Sequence, residues 1–171
     1  MTAKHKNEPG GAAGQTTLRL EAFLPYRLNW LSELVSKALS RIYAEEYKIT
    51  IPEWRVIATL GQFRSMTARD VGNHSKMNKS KVSRAVATLE ERNLVIRQPN
   101  PHDMREHFLT LTDEGKDMYA NIAPDAIAFN AQLLGALTRE EKEQFERLVL
   151  KLTVCAGDLE GTGNKAGQEE E

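Results

Sequence analysis

The sequence predicts a mainly α-helical fold with a small β-wing. Three observations predict it: long segments with apolar residues at helical spacing, a short alternation of apolar and polar residues after Asn93, and a cationic helix directly before that alternation. Together they indicate a winged helix-turn-helix with a helical dimerisation region. The 171 residues are enough for one domain, or for one protomer that shares its core with a neighbour.

Composition excludes several classes of protein. The longest apolar runs are too short to span a bilayer and the start lacks an apolar signal core, so we expect a cytoplasmic location. A single cysteine, Cys155, excludes an intramolecular disulfide framework. We expect no metal and no cofactor, because the four histidines lack metal-ligand spacing. A nucleophile elbow and a glycine-rich phosphate loop are also missing, which argues against an enzyme.

The periodicity divides the chain into five segments. We predict a disordered N-terminal arm (1–17), a first dimerisation helix (18–50), a winged helix-turn-helix lobe (51–112), C-terminal dimerisation helices (113–157) and a disordered acidic tail (158–171).

The first helix is predicted to be unusually long. Apolar residues recur at helical spacing from Leu18 to Tyr47, which corresponds to about 45 Å of helix. Because one small domain cannot cover that length, another copy of the chain should bury part of the apolar face. The sequence therefore predicts a homodimer.

The next three helices have recognisable starts. Pro52 suits the first turn of the second helix, which we expect to end at Gly61, and Thr67 caps a third helix that ends near His74. The fourth helix, from Asn78 to Arg92, buries one apolar face. Its opposite arc consists of polar and small residues: Lys79, Ser80, Ser83, Arg84 and Ala87.

A hairpin and two helices complete the predicted fold. Alternating residues over 94–97 and 108–111 predict a β-hairpin with a long, proline-containing tip. Thr112 then starts a helix that Pro124 bends, and Thr138 with Glu141 forms a capping box for the last helix. The last helix carries an apolar stripe, in which we also expect Cys155 to be buried: Phe145, Leu148, Val149 and Leu152.

The net charge of −1 hides two opposite poles. Residues 64–105 contain nine basic and four acidic residues, so this segment is +5 and the remainder is −6. Residues 74–84 contain four cations and no acid. A solvated helix face would explain a charge cluster alone, but its place at the second helix of a helix-turn-helix favours insertion into the major groove of DNA. The candidate contacts there are Thr67, Ser75, Lys76, Asn78, Lys79, Ser80, Lys81, Ser83 and Arg84.

The hairpin tip presents a second set of candidate contacts. Arg105 on a narrow tip can enter a minor groove, while Asp103 orients it and His102 lies beside them. An ordinary turn pair between Asp103 and Arg105 is the alternative interpretation.

These segments resemble a known family. Residues 78–84, 89–95, 103–105 and 109–115 look like the recognition helix, turn, wing and following helix start of MarR-type winged-helix transcription regulators. The resemblance implies a homodimer that binds a pseudo-palindromic operator in double-stranded DNA. Asn93 replaces the usual glycine of the turn and tolerates the same left-handed backbone. Met104 replaces a residue that is commonly basic in the wing.

The resemblance also implies a small-molecule effector. Tyr26 and Trp30 lie one helical turn apart, with Arg27 beside them and Trp54 and Arg55 on the following helix. These residues suit an aromatic carboxylate or an aromatic acyl-CoA. Core or dimer packing of the two tryptophans is the alternative. Residues 23–29 and 51–55 also resemble the branch that responds to hydroxycinnamoyl-CoA.

Three functions remain at this point. The first is a ligand-responsive regulator, interpreted as a repressor, that binds DNA. The second is a winged-helix protein-interaction module without affinity for nucleic acid, and the third is a constitutive DNA-binding regulator without a ligand.

Overall fold

The computed structural model describes residues 17–99 and 106–166, with side chains as far as residue 160. The chain is mostly helical, at 71%, with one small three-stranded antiparallel sheet, which confirms the predicted fold class. It divides into two compact units, Met1–Ala38 and Leu39–Glu171. The predicted arm at 1–17 falls almost wholly outside the described residues.

The first helix is shorter than the sequence predicts. A 3-10 turn at Leu20–Ala22 precedes α1 (Leu24–Ser40), and the chain then forms turns over 41–47. The prediction of one helix from Leu18 to Tyr47 was therefore wrong at both ends. The apolar residues after Ser40 do not belong to a helix. Tyr43 is buried by the turns and Ile49 by the segment that follows them, each about as completely as any core residue.

Three capped helices form the helix-turn-helix. In α2 (Ile51–Phe63), Thr50 and Glu53 form a capping box, and the helix continues two residues past Gly61. Glycine is required at position 61 for close packing, because a β-carbon there would approach the Tyr119 ring to 2.6 Å. Thr67 caps α3 (Ala68–Ser75) and Asn78 caps α4 (Lys79–Glu91), each through a side-chain oxygen that accepts from a backbone N–H of the first turn.

The wing belongs to a sheet with one more strand than the predicted hairpin. β1 (Ser65–Thr67), β2 (Val95–Pro99) and β3 (His107–Leu111) are antiparallel in the order β1-β3-β2. Ile96 lies opposite Thr110, which in turn lies opposite Ser65. Val95, Leu109 and Leu111 point into the core.

Two helices follow the sheet. Thr112 caps α5 (Asp113–Leu134), which contains Pro124, as predicted. In α6 (Arg139–Ala166) the capping box is present, since Thr138 N–H donates to Glu141 and Glu141 N–H donates to Thr138. The helix extends beyond residue 157, so residues 158–166 are helical where the sequence predicted the start of a disordered tail.

Candidate nucleic-acid interface

The first turns of α4 present a cationic surface to solvent. Val82, Ala85, Val86 and Leu89 lie in the core, which fixes which side of the helix faces outward. The outward side chains are all exposed, and no ion pair to any of them is found among the described residues: Lys79, Ser80, Lys81, Ser83 and Arg84. This exposed helix start can accept a phosphate backbone and reach base edges.

Capping determines how the helix begins. The Asn78 amide oxygen accepts a hydrogen bond from Lys81 N–H at 2.9 Å, so its oxygen is already occupied by the cap. Lys76 ends α3 in the left-handed conformation, at φ 52°, and its side chain is exposed. The turn between the two helices is therefore tight, and it holds Lys76 beside the start of α4.

Thr67 and Ser75 both form hydrogen bonds within α3. Thr67 is only 6% exposed, and its hydroxyl donates to the Asp70 carboxylate at 2.7 Å while accepting from Asp70 N–H. The burial of Thr67 leaves its side chain inaccessible to DNA, which corrects the prediction for this residue. The half-buried Ser75 donates its hydroxyl to the Val71 carbonyl at 2.6 Å, and its contact with DNA stays a prediction.

The turn after α4 confirms one prediction. Asn93 has φ 55°, the left-handed conformation that was expected where related chains have glycine. Its N–H donates to the Glu90 carbonyl, and Leu94 N–H donates to the Leu89 carbonyl at 2.9 Å. The candidate wing-tip contacts, His102, Asp103 and Arg105, lie outside the described residues, as does Met104.

Arg92 has an internal role that the sequence did not reveal. Its guanidinium donates to the carbonyl oxygens of Tyr47 at 2.7 Å and Lys48 at 2.9 Å. Arg92 thus joins the end of α4 to the segment before α2. Because the partners are backbone carbonyls far away in the sequence, no residue pattern could have indicated it.

The candidate ligand residues lie in different environments. Tyr26, Arg27 and Trp30 are exposed on α1, Trp30 at 61%. Trp54 is buried in the second unit, with its ring stacked at 5.3 Å from Tyr43 and 6.4 Å from Tyr119.

Arg55, beside Trp54 in the sequence, is half-buried. The stacked rings give Trp54 the packing role that the sequence analysis kept as an alternative. Burial raises the pKa of Tyr43 to about 12, against a smaller lowering by the charge of Arg55.

A cavity of about 820 Å³ lies on the outer face of the sheet. Leu60, Ile96 and Tyr119 contribute apolar surface. The charged side chains of the lining are two cations and two carboxylates: Arg64, Lys116, Asp113 and Glu114. Arg64 has φ 67°, a strained backbone for a residue with a β-carbon. These residues come from α2, β2 and α5, so their proximity could not be read from sequence spacing.

Cys155 is exposed on α6, so the expectation that it is buried was wrong for the single chain. Its helix does not pack that face against the lobe. Within the described ranges, no helix is long and apolar enough to cross a membrane, and no group of three histidine, cysteine or acidic side chains could hold a metal ion.

Comparison with known proteins agrees with this architecture. The MarR family model matches residues 49–107. The HTH-type transcriptional repressor MdtR of Bacillus subtilis is 29% identical over 72% of this chain and 79% of its own length. A crystal structure of a MarR/EmrR family transcriptional regulator from Acinetobacter sp. ADP1 is 25% identical, with a TM-score of 0.75 over 82% of this chain and 99% of the other. NadR, solved in complex with 4-hydroxyphenylacetate, is 24% identical, with a TM-score of 0.68 over 81% and 97%.

The family model and the relatives together support a MarR-type winged-helix transcription regulator. DNA binding is supported on the same grounds. The relatives are named as transcriptional regulators, which argues against an enzymatic role.

Proposed function

We propose, from this support for a MarR-type regulator, that the chain is a ligand-responsive repressor that binds a pseudo-palindromic operator as a homodimer. The observation that carries the proposal is the exposed, acid-free start of α4, where Lys79, Lys81 and Arg84 face solvent without ion-pair partners among the described residues. A helix start of this kind offers backbone N–H groups, a positive dipole end and long cationic side chains to a DNA groove.

A homodimer is supported by apolar surface that one chain leaves exposed. On α6, Phe145, Leu148 and Leu152 are between 44% and 58% exposed although they form one helical stripe. On α1, Leu28, Leu31 and Leu34 are each about half exposed. In a two-fold dimer the two copies of α4 would read half-sites one helical turn apart, about 34 Å.

The wing is proposed to add minor-groove contacts. Arg105 would enter the groove, with Asp103 orienting it and His102 adjacent, as the resemblance implies. These residues connect the paired strands β2 and β3, which end at Pro99 and begin at His107.

The effector is proposed to be a small aromatic carboxylate. NadR is solved with such a compound, and this chain offers two candidate places that combine an arginine with aromatic residues. One is the exposed set Tyr26, Arg27 and Trp30 on α1. The other is the cavity with Arg64 and Tyr119. A hydroxycinnamoyl-CoA thioester is the more specific candidate, and it would need additional cations for its phosphates.

The DNA-binding step is tested with duplexes selected from a randomised pool by the wild-type protein. Log affinity should fall linearly with log salt, by about 0.9 for each phosphate contacted. Arg84→Ala should weaken binding about 10- to 100-fold if Arg84 reads a base. Arg139→Ala removes the same charge from the start of α6 and is the control, with unchanged affinity expected. Failure of the wild type to bind any duplex at low salt would favour the protein-interaction module.

The effector step is tested by thermal unfolding with 4-hydroxyphenylacetate, hydroxycinnamate and hydroxycinnamoyl-CoA. A ligand at about 100 times its dissociation constant stabilises the folded state by about 2.7 kcal/mol and should also release the duplex. Trp30→Ala and Arg64→Gln then distinguish the two places. Operator binding that none of the compounds relieves would favour a constitutive regulator.

A further inference from the structure

The base of the wing is separated from part of the helix-turn-helix by a cleft. A cavity of about 510 Å³ lies between α3 and α4 on one side and β2 and β3 on the other. Its apolar lining includes Gly72, Met77 and Val82 from the helices and Leu109 from the sheet. Val95, Leu109 and Leu111 anchor the inner side of the wing strands in the core. Beyond this anchor the cleft separates the outer part of the wing base from the two helices, so contacts at the edges of the cleft help to set the angle of the wing.

Two ion pairs span the edges of this cleft. Arg97 on β2 donates through Nε to both carboxylate oxygens of Glu90 on α4, at 2.8 and 3.0 Å. Arg69 on α3 lies 3.2 Å from the carboxylate of Glu106, the residue before β3. Arg69, Arg97 and Glu106 also line the cleft itself. Each of the two wing strands is therefore tied to a different helix of the helix-turn-helix.

The cations of the lobe thus fall into two groups. Lys79, Lys81 and Arg84 extend into solvent without ion-pair partners among the described residues, as a phosphate contact requires. Arg69 and Arg97 already have carboxylate partners. An arginine that is paired with a carboxylate contributes little net charge to a DNA surface. We therefore consider how these two ion pairs affect the position of the wing.

We propose that Arg97 and Glu90, supported by Arg69 and Glu106, are positioning residues that set the distance of the wing from α4. Through this distance they allow the recognition helix and the wing tip to reach one duplex at the same time. This inference rests on the proposed DNA-binding function, because the wing needs a fixed position only if both elements contact the same DNA.

The two possible roles of the acidic partners predict effects of opposite sign. If the pair had no positioning role, Glu90→Gln would remove a negative charge near DNA and free Arg97 for a phosphate, so affinity would rise. If the pair positions the wing, the same substitution weakens binding even though the surface becomes more positive. Because the substitution keeps size and hydrogen-bonding capacity, the sign of the affinity change separates the two roles.

The experiment measures affinity for the selected duplex at several salt concentrations. For Glu90→Gln we expect about fivefold weaker binding, in line with the modest strength of an exposed ion pair present twice per dimer. The salt slope should not fall, since no phosphate contact is removed. Glu91→Gln is the matched control, because Glu91 is the next residue, is exposed and has no ion pair in the described part of the chain; its affinity should rise slightly or stay unchanged.

Rescue and footprinting complete the test. The double variant Glu90→Arg/Arg97→Glu restores the pair with its charges exchanged and should recover most of the lost affinity. Hydroxyl-radical cleavage should show that Glu90→Gln loses minor-groove protection under the wing and keeps protection at the major-groove half-site. Thermal unfolding of the single variants should match the wild type, which excludes a folding defect as the cause.

Three results would overturn the inference. They are tighter binding by Glu90→Gln, a double variant no better than Glu90→Gln alone, and a salt slope that falls by about 1.8 in Arg97→Gln, which would mean that Arg97 contacts one phosphate in each protomer of the dimer. A wild-type protein that binds no duplex would instead refute the proposed function itself. The two failures are therefore distinguishable.

Discussion

The winged lobe buries its apolar residues within its own chain, whereas α6 leaves a stripe of apolar residues exposed. The fully buried apolar residues of the described chain all lie between Tyr43 and Ile122, in the lobe, the segment directly before it and the first half of α5. α6 is equally well capped and carries a regular apolar stripe, yet Phe145, Leu148 and Leu152 remain about half exposed. Periodicity was therefore sufficient to predict both regions as amphipathic helices, but not to predict which of them packs within its own chain.

This difference indicates a division of tasks. A lobe that buries its own core can keep the surface of α4 in a fixed shape without help from another chain. Large contiguous apolar surface is rare on monomeric proteins, so in the proposed homodimer association would cover the half-exposed leucine side chains of α6 and complete the stability of that helix. Association through such helices would set the separation of two lobes, which is the quantity that an effector could change.

The largest expected effect comes from making the α6 stripe polar. Leu148→Asp/Leu152→Asp should raise the dimer dissociation constant by about 10⁴-fold, because four leucine side chains per dimer lose burial worth about 1.5 kcal/mol each. Sedimentation equilibrium measures this change directly. Leu150→Asp is the control, since Leu150 lies about 150° from the stripe on the helix and its substitution should leave the dimer intact.

A dimer that survives the double substitution would mean that α6 is not the associating surface. A dimer that dissociates while each chain keeps its helical content would show that the lobe folds without a partner. Sedimentation separates these two outcomes, and circular dichroism reports the helical content of the dissociated chain.

A smaller effect is expected from adding one methyl group to a glycine in each region. A β-carbon on Gly115 would overlap the Leu94 carbonyl oxygen, which also accepts the N–H of Thr112, so the start of α5 would have to move away from the sheet. We expect Gly115→Ala to lower the free energy of unfolding by about 3 kcal/mol. Gly157→Ala in α6 meets no atom within 4 Å and should instead stabilise the helix by up to about 1 kcal/mol.

Urea unfolding of the two glycine variants measures both changes. If Gly115→Ala were as harmless as Gly157→Ala, the close approach of α5 to Leu94 would not contribute to the packing of the lobe. If Gly157→Ala were strongly destabilising, α6 would have a close partner at that position in the dimer, and the contrast between the two regions would apply only to the isolated chain.

Local signals explain what the sequence predicted well. The caps at Thr67, Thr112 and Thr138 were predictable because capping joins residues two or three positions apart. The left-handed turn at Asn93 was predictable because few residue types tolerate it. The exposed face of α4 followed from the 3.6-residue period, and that face carries five of the twelve candidate DNA contacts.

Non-local contacts explain what the sequence did not predict. β1 has only three residues and becomes a strand by pairing with β3, which lies far along the chain. α1 ends at Ser40 although the apolar spacing continues, because Tyr43 is drawn into the core beside Trp54. The partners of Arg92 and the pairing of Arg69 with Glu106 depend on tertiary structure in the same way.

The smallest expected effect concerns a titration confined to the lobe. Burial raises the pKa of Tyr43 to about 12, from an ordinary value of 10.0, because its phenolate would be poorly solvated. Below pH 10 the group is neutral in both the folded and the unfolded chain, so its full contribution to stability is present. Between pH 10 and 12 the unfolded tyrosine ionises first, and the folded state loses stability by about 1.4 kcal/mol per pH unit.

The Tyr43 titration is measured as the difference in urea unfolding between the wild type and Tyr43→Phe at pH 8, 10 and 11, since subtraction removes the contribution of other groups. As the pH rises above 10, the free energy of unfolding of the wild type should fall relative to that of Tyr43→Phe. Tyr26→Phe, on the exposed surface of α1, should show no such pH-dependent difference from the wild type. A pH-independent difference for Tyr43→Phe would mean that water reaches the phenol. The core around Trp54 would then be accessible to water, as the apolar side chains of α6 are. The difference in burial between the lobe and α6 would be smaller than the exposed fractions of their side chains indicate.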